Sequence, residues 1–343
     1  MLKFGLKRIA FLPLVMLGVT TLLFTCLQFL SPEMRAALYV KDPRQLSQLD
    51  TVIEKYGLRK PMPVQYAIWL KQVAHGDLGF SETAKMPVAD AIGAFFPATF
   101  ELALLAFIPI LIVGVYFGVL SAVYKDKFVD HLARFVAITG YSLPSFVLGL
   151  VLLMIFYGRL HWLPPGRYTL ETDMLVHADA FRHWTGLLTL DCLLNRQWAA
   201  FVDVIKHMIL PASTLLYISV ALLLRITRSS MLEELSKDYV RTARAKGLSE
   251  KAVIYRHALA NALIPMVTLS SLLFIGLLGG VVITETVFDF PGIGRWGVQA
   301  AQQLDIPGVL GATLLSAFLF VLANMVCDLL YAVVDPRIRV GSS

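Results

Sequence analysis

Charge is scarce in this chain: Asp, Glu, Lys and Arg together make up 16% of its 343 residues. Soluble domains carry about a quarter charged residues, so there is too little polar side chain here to coat a water-exposed globule. Cysteine is rarer still. Cys26 and Cys327 fall within apolar runs and Cys192 between two of them, a pattern that supplies no disulfide framework and suits small packing residues. The sequence also lacks the Gly-x4-Gly-Lys-Ser/Thr loop that cradles nucleotide phosphates. No Ser/His/Asp or Cys/His arrangement offers a nucleophile, and no fixed-period repeat or low-complexity tract occurs. A catalytic role, a bound cofactor and nucleotide hydrolysis by this chain itself are therefore not expected. The net charge of +6 is spread without a basic soluble face, so nucleic acid is not an expected partner.

What is abundant is hydrocarbon: 57% of the residues are hydrophobic. A membrane core about 30 Å thick takes roughly 20 apolar residues as a helix. Six runs meet that length, at 9–30, 99–124, 135–157, 207–224, 263–284 and 309–334. The fourth is the shortest and contains Pro211 and several hydroxyls. Val147–Tyr157 and Leu272–Ile283 carry no charge at all, whereas a soluble helix would alternate polar and apolar faces. The expected fold is an all-α integral membrane bundle of about six helices. The first run follows a basic N-terminus like that of a signal peptide. It is too long for one and no small-x-small site follows, so an uncleaved first helix is expected.

Lys and Arg set the orientation. With the N-terminus inside, segments 1–8, 125–134, 225–262 and 335–343 hold 16 basic residues in 65 positions. The outer segments, 31–98, 158–206 and 285–308, hold 14 in 141. Both termini are expected in the cytoplasm. Two outer loops exceed what a helix connection needs. The first, 31–98, has helix-like stretches at 44–57 and 63–75 and then the turn-rich Gly76-Asp-Leu-Gly-Phe-Ser81. The second, 158–206, mixes Pro164-Pro165-Gly166 with His, Trp and acidic residues. Aromatic content in both favours ordered docking surface. The expected division is 1–98, a first transmembrane helix plus extracytoplasmic region, and 99–343, a five-helix core.

The loop 225–262 is the most informative segment. Met231, Leu235, Tyr239 and Ala243 fall at helical spacing on one side with charges between them. Gly247 fits a left-handed helix end with Leu248 packing back on Ala243. Ser249 can cap a second helix through Ala260, with Glu250 favourably placed against its dipole. The expectation is helix, tight turn, helix, outside the membrane. Physics leaves two uses open: a basic amphipathic hairpin resting on anionic headgroups, or an element that docks in a groove on a cytoplasmic partner. The sharp break at Gly247 favours docking.

Asp238-Tyr-Val-Arg-Thr-Ala243-Arg-Ala-Lys-Gly247-Leu-Ser, with His257-Ala-Leu259 and Asn261-Ala-Leu-Ile-Pro265, resembles the coupling loop of ATP-binding-cassette (ABC) importer permeases. Ala243 and Gly247 match the general pattern of that family. Arg241, Thr242, His257 and Ala260 depart from it in the manner of the dipeptide/oligopeptide branch. Leu58-Arg-Lys-Pro61, Gly76-Asp-Leu-Gly79, Pro97-Ala-Thr-Phe-Glu-Leu102, Gly140-Tyr-Ser-Leu-Pro144, His207-Met-Ile-Leu-Pro211, Arg225-Ile-Thr-Arg-Ser-Ser-Met-Leu-Glu233, Glu285-Thr-Val-Phe288, Pro291-Gly-Ile-Gly294 and Asp335-Pro-Arg-Ile338 are similar to further motifs of that branch. Leu30-Ser-Pro-Glu departs where Pro-Gly-Asp-Pro is common. The large outer loop after helix one resembles the first permease subunit of the pair. The resemblance implies an ABC importer type I permease-like bundle in a bacterial inner membrane. It also implies a second homologous permease, one or two ABC ATPase subunits that bind ATP and Mg, an extracytoplasmic solute-binding protein and surrounding lipid. Its implied coupling residues are Tyr239, Arg241, Thr242, Ala243, Arg244, Ala245, Lys246, Gly247, Leu248, Ser249 and His257. Peptides are the cargo implied first, while relatives of this branch carry nickel, opines, glutathione or oligosaccharides.

Glu101, Glu285, Asn324 and Asp328 lie in or beside apolar runs, where ionisable groups are costly and default to a functional reading. Helix-to-helix hydrogen bonding is the expected role for Glu101 and Asp328, with Asn324 one turn before Asp328. A proton relay, as in a proton-coupled carrier working alone, would need a longer chain of acids, and no inverted repeat supports one. His161, His177 and His183 lie near Asp173 and Asp179 in the second outer loop, but their spacing matches no defined metal site.

Overall fold

The computed structural model describes residues 2–39, 49–279 and 281–334. The tail motif at Asp335 and the start of the helix-like stretch at 44–57 lie outside the described residues. The chain is helical apart from one small hairpin. Helix α1 spans Leu2–Leu27, and short helices α2 (Pro32–Ala36), α3 (Leu49–Lys55) and α4 (Met62–Ala74) follow. Strands β1 (Phe80–Ser81) and β2 (Met86–Pro87) then pair antiparallel, with Phe80 opposite Pro87. Helix α5 runs unbroken over Val88–Val123, and α6 (Phe128–Ser142) and α7 (Ser145–Leu152) come next, α7 continuing as a π-helical turn to Arg159. After α8 (Leu170–Val176) and α9 (Leu188–Leu194) comes α10, Trp198–Ser236. Helix α11 (Asp238–Ala245), a π-helical turn (Ala252–Ala258), α12 (Leu259–Leu278), α13 (Val282–Val287), α14 (Ile293–Gln302) and α15 (Ile306–Val334) complete the chain.

Helices α5, α10 and α15 are each long and apolar enough to cross a membrane. Two bent pairs reach that length and apolarity only when each pair is taken together: Phe128–Ser142 with Ser145–Arg159, at 104°, and Ala252–Leu263 with Pro265–Leu278, at 55°. Prolines explain both bends. Pro144 starts α7 after a residue held extended, and Pro265 removes an N–H inside α12 and crowds the carbonyl four residues back. With α1, whose apolar part Pro13–Leu27 is shorter, these three helices and two bent pairs fall on the six apolar runs, roughly consistent with a bundle of about six helices.

The fourth run differs in extent from its sequence reading. Only 207–224 is uninterruptedly apolar, yet α10 is the longest helix at 39 residues, about 58 Å at 1.5 Å per residue. Pro211 lies inside it without ending it. Helix α10 is the spine of the bundle, packed along α5, α6, α9 and α12. Its contact with α5 is close at Gly118, where a Cβ would stand 2.4 Å from the Thr227 Cβ.

The N-terminal region folds back on the bundle. Phe24 of α1 stacks near Tyr66 and Trp69 of α4, and Leu310 and Leu314 of α15 complete that cluster. Arg35, buried, donates to Gln28 Oε1 and, at 2.6 Å, to Gln65 Oε1. The hairpin is fastened by Asp305, which accepts from Ser81 Oγ at 2.5 Å and from the Thr83 N–H at 3.1 Å.

Replacing Gly118 by Ala should destabilise the chain by about 1–3 kcal/mol through overpacking against Thr227. Adding Thr227→Gly, which moves the small residue to the facing helix, should recover part of that loss. Thermal unfolding in detergent, followed for the single and the double variant, reads both effects.

Candidate functional site

The loop after α10 folds as a hairpin in which each turn has an identifiable cause. Lys237 takes an extended backbone (φ −74°, ψ 151°), which ends α10 and starts α11 at a new angle. Met231 and Leu235 therefore sit on α10 while Tyr239 and Ala243 sit on α11, so the four do not share the single helical face that their spacing predicts. Gly247 holds φ +77°, the Leu248 N–H reaches the Ala243 carbonyl at 3.3 Å, and the Gly247 N–H reaches the Arg244 carbonyl at 2.9 Å. That pair of bonds is the Schellman stop the sequence predicts. The Ser249 hydroxyl accepts from the Ala252 N–H at 3.4 Å, starting the second helix. This helix does not stop at Ala260. It runs through the π-helical turn into α12, because nothing between Ser249 and Pro265 breaks it.

The hairpin has a buried side and an exposed side. Val240, Ala243 and Val253 pack together, so Ala243 faces the second helix of the hairpin itself. Arg241, Thr242, Arg244, Ala245, Lys246, Gly247, Leu248 and Ser249 are exposed. Arg244 clasps Glu250 across the turn at 2.8 Å. Arg241 leans on Asp238 at 3.3 Å, and the Thr242 hydroxyl donates to the Asp238 carbonyl at 3.0 Å. Tyr239 ties three elements: its hydroxyl donates to Glu234 Oε2 of α10 at 2.6 Å and accepts from Asn261 Nδ2 of α12 at 3.2 Å. His257 is half-buried in the π-helical turn, its carbonyl accepting from Asn261 at 3.0 Å. The exposed rim thus carries the Arg241–Asp238 and Arg244–Glu250 pairs and Lys246.

The acids singled out in the sequence stand away from this hairpin. Glu101, buried in α5, accepts from Arg167 Nη2 at 3.0 Å and from the Thr189 N–H and hydroxyl at 2.6 and 2.7 Å. It thereby ties the helix to both ends of segment 160–197. Glu285, fully buried in α13, accepts from Thr99 Oγ1 at 2.7 Å and from the Arg295 N–H at 2.8 Å. Asn324 Nδ2 donates to the Phe320 carbonyl of its own helix at 2.8 Å. The Asp328 side chain lies outside the described residues. His177 pairs with Asp173 at 3.3 Å and His183 approaches Asp191 at 3.7 Å. Among the described residues no three potential metal ligands come together.

Comparison with known proteins decides what this bundle belongs to. Residues 114–340 match the family described as binding-protein-dependent transport system inner membrane component, and residues 1–103 match the N-terminal membrane component of the same systems. This chain belongs to that family. It is 42% identical over 330 residues to the probable D,D-dipeptide transport system permease protein DdpB of Escherichia coli, covering 96% of this chain and 95% of that one. It is 41% identical over 345 residues to the dipeptide transport system permease protein DppB of the same organism, covering 99% of each. The oligopeptide transport system permease protein AppB of Bacillus subtilis is 38% identical over 328 residues, 95% of each chain. A solved methionine ABC transporter, MetNI in an inward-facing form, aligns with a TM-score of 0.46 at 16% identity, over 69% of this chain and 93% of that chain.

An inner-membrane transport component is a multi-pass, non-catalytic pore protein, and its family works in general with a partner permease, an ATPase and a solute-binding protein. The Gly247 hairpin lies inside the matched family segment 114–340. So does an ion pair that sequence reasoning missed. Asp130, fully buried, accepts from Arg228 Nε and Nη2 at 2.6 and 2.8 Å, from Ser121 Oγ at 2.5 Å and from the Asp126 N–H at 3.0 Å. It locks the start of α6 to α5 and α10 near the hairpin end of the bundle. Counting 125–134 as a charged loop hid it, although Arg228 stands within a quoted motif.

Cys192 is buried in α9. Burial, aided by Glu101 and Asp191 nearby, pushes its thiol up to about 11. The neutral thiol is the unreactive form, so Cys192 should resist a maleimide at pH 8 in the folded protein and react after denaturation in SDS. Mass spectrometry of the Cys192 peptide before and after denaturation checks this.

Proposed function

We propose that this chain forms half of the translocation pathway of an ABC importer for peptides, and that its Gly247 hairpin is where separate ATPase subunits dock. The full-length similarity to dipeptide and oligopeptide permeases supports the cargo class. The observation that carries the docking role is the hairpin's geometry. A Schellman stop at Gly247 sets the turn, while the Tyr239 hydroxyl joins the hairpin to α10 through Glu234 and to α12 through Asn261. A hairpin resting on lipid has no need of either tie. In this reading both termini and the hairpin are cytoplasmic. Segments 31–98 and 158–206 face outward, where the former, as a unit added to the 99–343 core, receives the loaded binding protein. A second homologous permease completes the pore, and one or two ATPase subunits bind ATP and Mg. Closing of the ATPase pair moves the hairpin, and α10 and α12 carry that movement into the bundle, switching access from one side to the other.

Two experiments test this. In nanodisc complexes, Gly247→Val strains the left-handed position by about 1–2 kcal/mol and should abolish stimulation of hydrolysis by loaded binding protein while the complex still assembles. Leu248→Asp, on the exposed rim, should do the same without touching the hairpin interior, whereas Ala243→Asp buries a charge and should loosen the hairpin itself. Stimulation retained in both Gly247→Val and Leu248→Asp would rule out the coupling role. For topology, cysteines at Glu82 and Ser249 should label oppositely with an impermeant reagent, Glu82 from outside only.

A further inference from the structure

Among the described residues the hairpin packs against α10 and α12, whereas α6 packs against α5 and α10. A movement that enters at the hairpin therefore reaches α6 by way of α10. The tie between those two helices at the hairpin end is the Asp130–Arg228 pair. Arg228 lies six residues, about 9 Å at 1.5 Å per residue, before Glu234, the residue that holds Tyr239 of the hairpin.

Asp130 is held as a fixed point. It is fully buried, and its two oxygens take Arg228 Nε and Nη2, the Ser121 hydroxyl of α5 and the Asp126 N–H, with Arg134 Nη2 3.5 Å away. Two N–H groups of one planar guanidinium on one carboxylate set direction as well as distance. A second attachment lies nine residues on along α6, about 14 Å away. There Thr139 and Tyr217 join through their hydroxyls at 2.7 Å. Gly140 approaches α10 so closely that a Cβ on it would stand 2.7 Å from the Tyr217 carbonyl oxygen. One point of attachment leaves a helix free to pivot, and two fix its orientation.

We infer that Asp130, acting through Arg228, is a positioning residue for coupling: it holds α6 to α10 as one body, so that a stroke entering at the Gly247 hairpin turns both helices together. The inference rests on the docking role proposed for the hairpin and names the joint by which the stroke leaves α10. Stability alone is a poor reason for such a pair. Both charges give up their water on burial, and apolar side chains of similar volume often serve such a site as well or better. What apolar side chains lack is direction: they pack in several registers, whereas the carboxylate and the guanidinium fit in one. Without the pair, the contacts at Thr139 and Gly140 become a pivot, and the Asp130 end of α6 lags behind α10.

The test uses the complete transporter in nanodiscs, with its binding protein and Ala-Ala as the peptide. Asp130→Asn with Arg228→Met removes both charges at once, so no buried charge is left unpaired. This double variant should assemble fully and unfold within about 3 °C of wild type. The ratio of hydrolysis with loaded binding protein to hydrolysis without it should fall at least about fivefold. Arg228→Lys, which keeps the charge, should lose less of that ratio than the double variant. Spin labels at Leu132 of α6 and Ser229 of α10, both exposed, read the joint itself in a background without the native cysteines. Their separation should stay constant between nucleotide-free and vanadate-trapped states, and should shift by more than about 3 Å in the double variant. Full stimulation in the double variant overturns the inference, as does a wild-type separation that shifts by as much. A loss of stimulation that only follows loss of assembled complex, or a lowered unfolding temperature, overturns it in favour of a purely structural pair. Gly247→Val and Leu248→Asp are assayed alongside. If both keep stimulation, or the wild type shows none, the docking reading and this inference fall together. If both lose it while the double variant keeps it, the inference falls alone.

Discussion

The interaction on which this bundle depends is the buried carboxylate that accepts backbone N–H groups. Segments linking apolar helices must satisfy their peptide groups without a regular ladder, and at the bundle ends acids do so. Glu101 takes the Thr189 N–H, Asp191 takes those of Thr185 and Gly186, Asp305 takes those of Thr83 and Gly308, Glu285 takes that of Arg295, and the half-buried Asp203 takes that of Thr169. Hydrogen bonds to a charged group contribute about 1.5–3 kcal/mol each, and a buried donor left alone costs a similar amount. The joints therefore hold the segments around α8 and α9, the hairpin and the α13–α14 turn as fixed surfaces on the helices.

These joints divide the labour along α10. Its first turns carry Asp203, which gathers the chain entering α8, and its last turns carry Arg228 and Glu234, which gather α6 and α11. One continuous helix thus bears the anchoring points of both ends. A shift imposed at one end is met by the same body at the other, with the close contact at Gly118 and Thr227 limiting how far α10 slides past α5.

The apolar runs located the crossings because hydrocarbon burial is a property of composition, and the Gly247 stop was legible because only one residue type adopts φ +77° without strain. What failed were inferences that needed a third dimension. The 207–224 run marked the apolar part of α10 but not its polar extensions, which are helical because other elements pack on them. Met231 and Tyr239 share a period without sharing a helix, since the extended Lys237 carries no strong sequence signal. Asp130 drew no reading because its partner Arg228 lies 98 positions away, and spacing alone did not show that Ala243 meets Val240 and Val253.

The continuity of the second hairpin helix with α12 has a mechanical side. From Ser249 to the bend at Leu263–Pro265 the chain is one stiff arm of about 21 Å at 1.5 Å per residue, mounted on a 55° elbow. Proline there leaves the elbow one hydrogen bond short, so it is the compliant point of an otherwise stiff assembly. A swing of about 10° at that elbow displaces the arm's tip by about 4 Å, less than one helical turn. Such an arm can swing by a few ångströms at its tip while the inner half of α12, beyond the elbow, keeps its place beside the phenylalanine-lined groove it shares with α5 and α15.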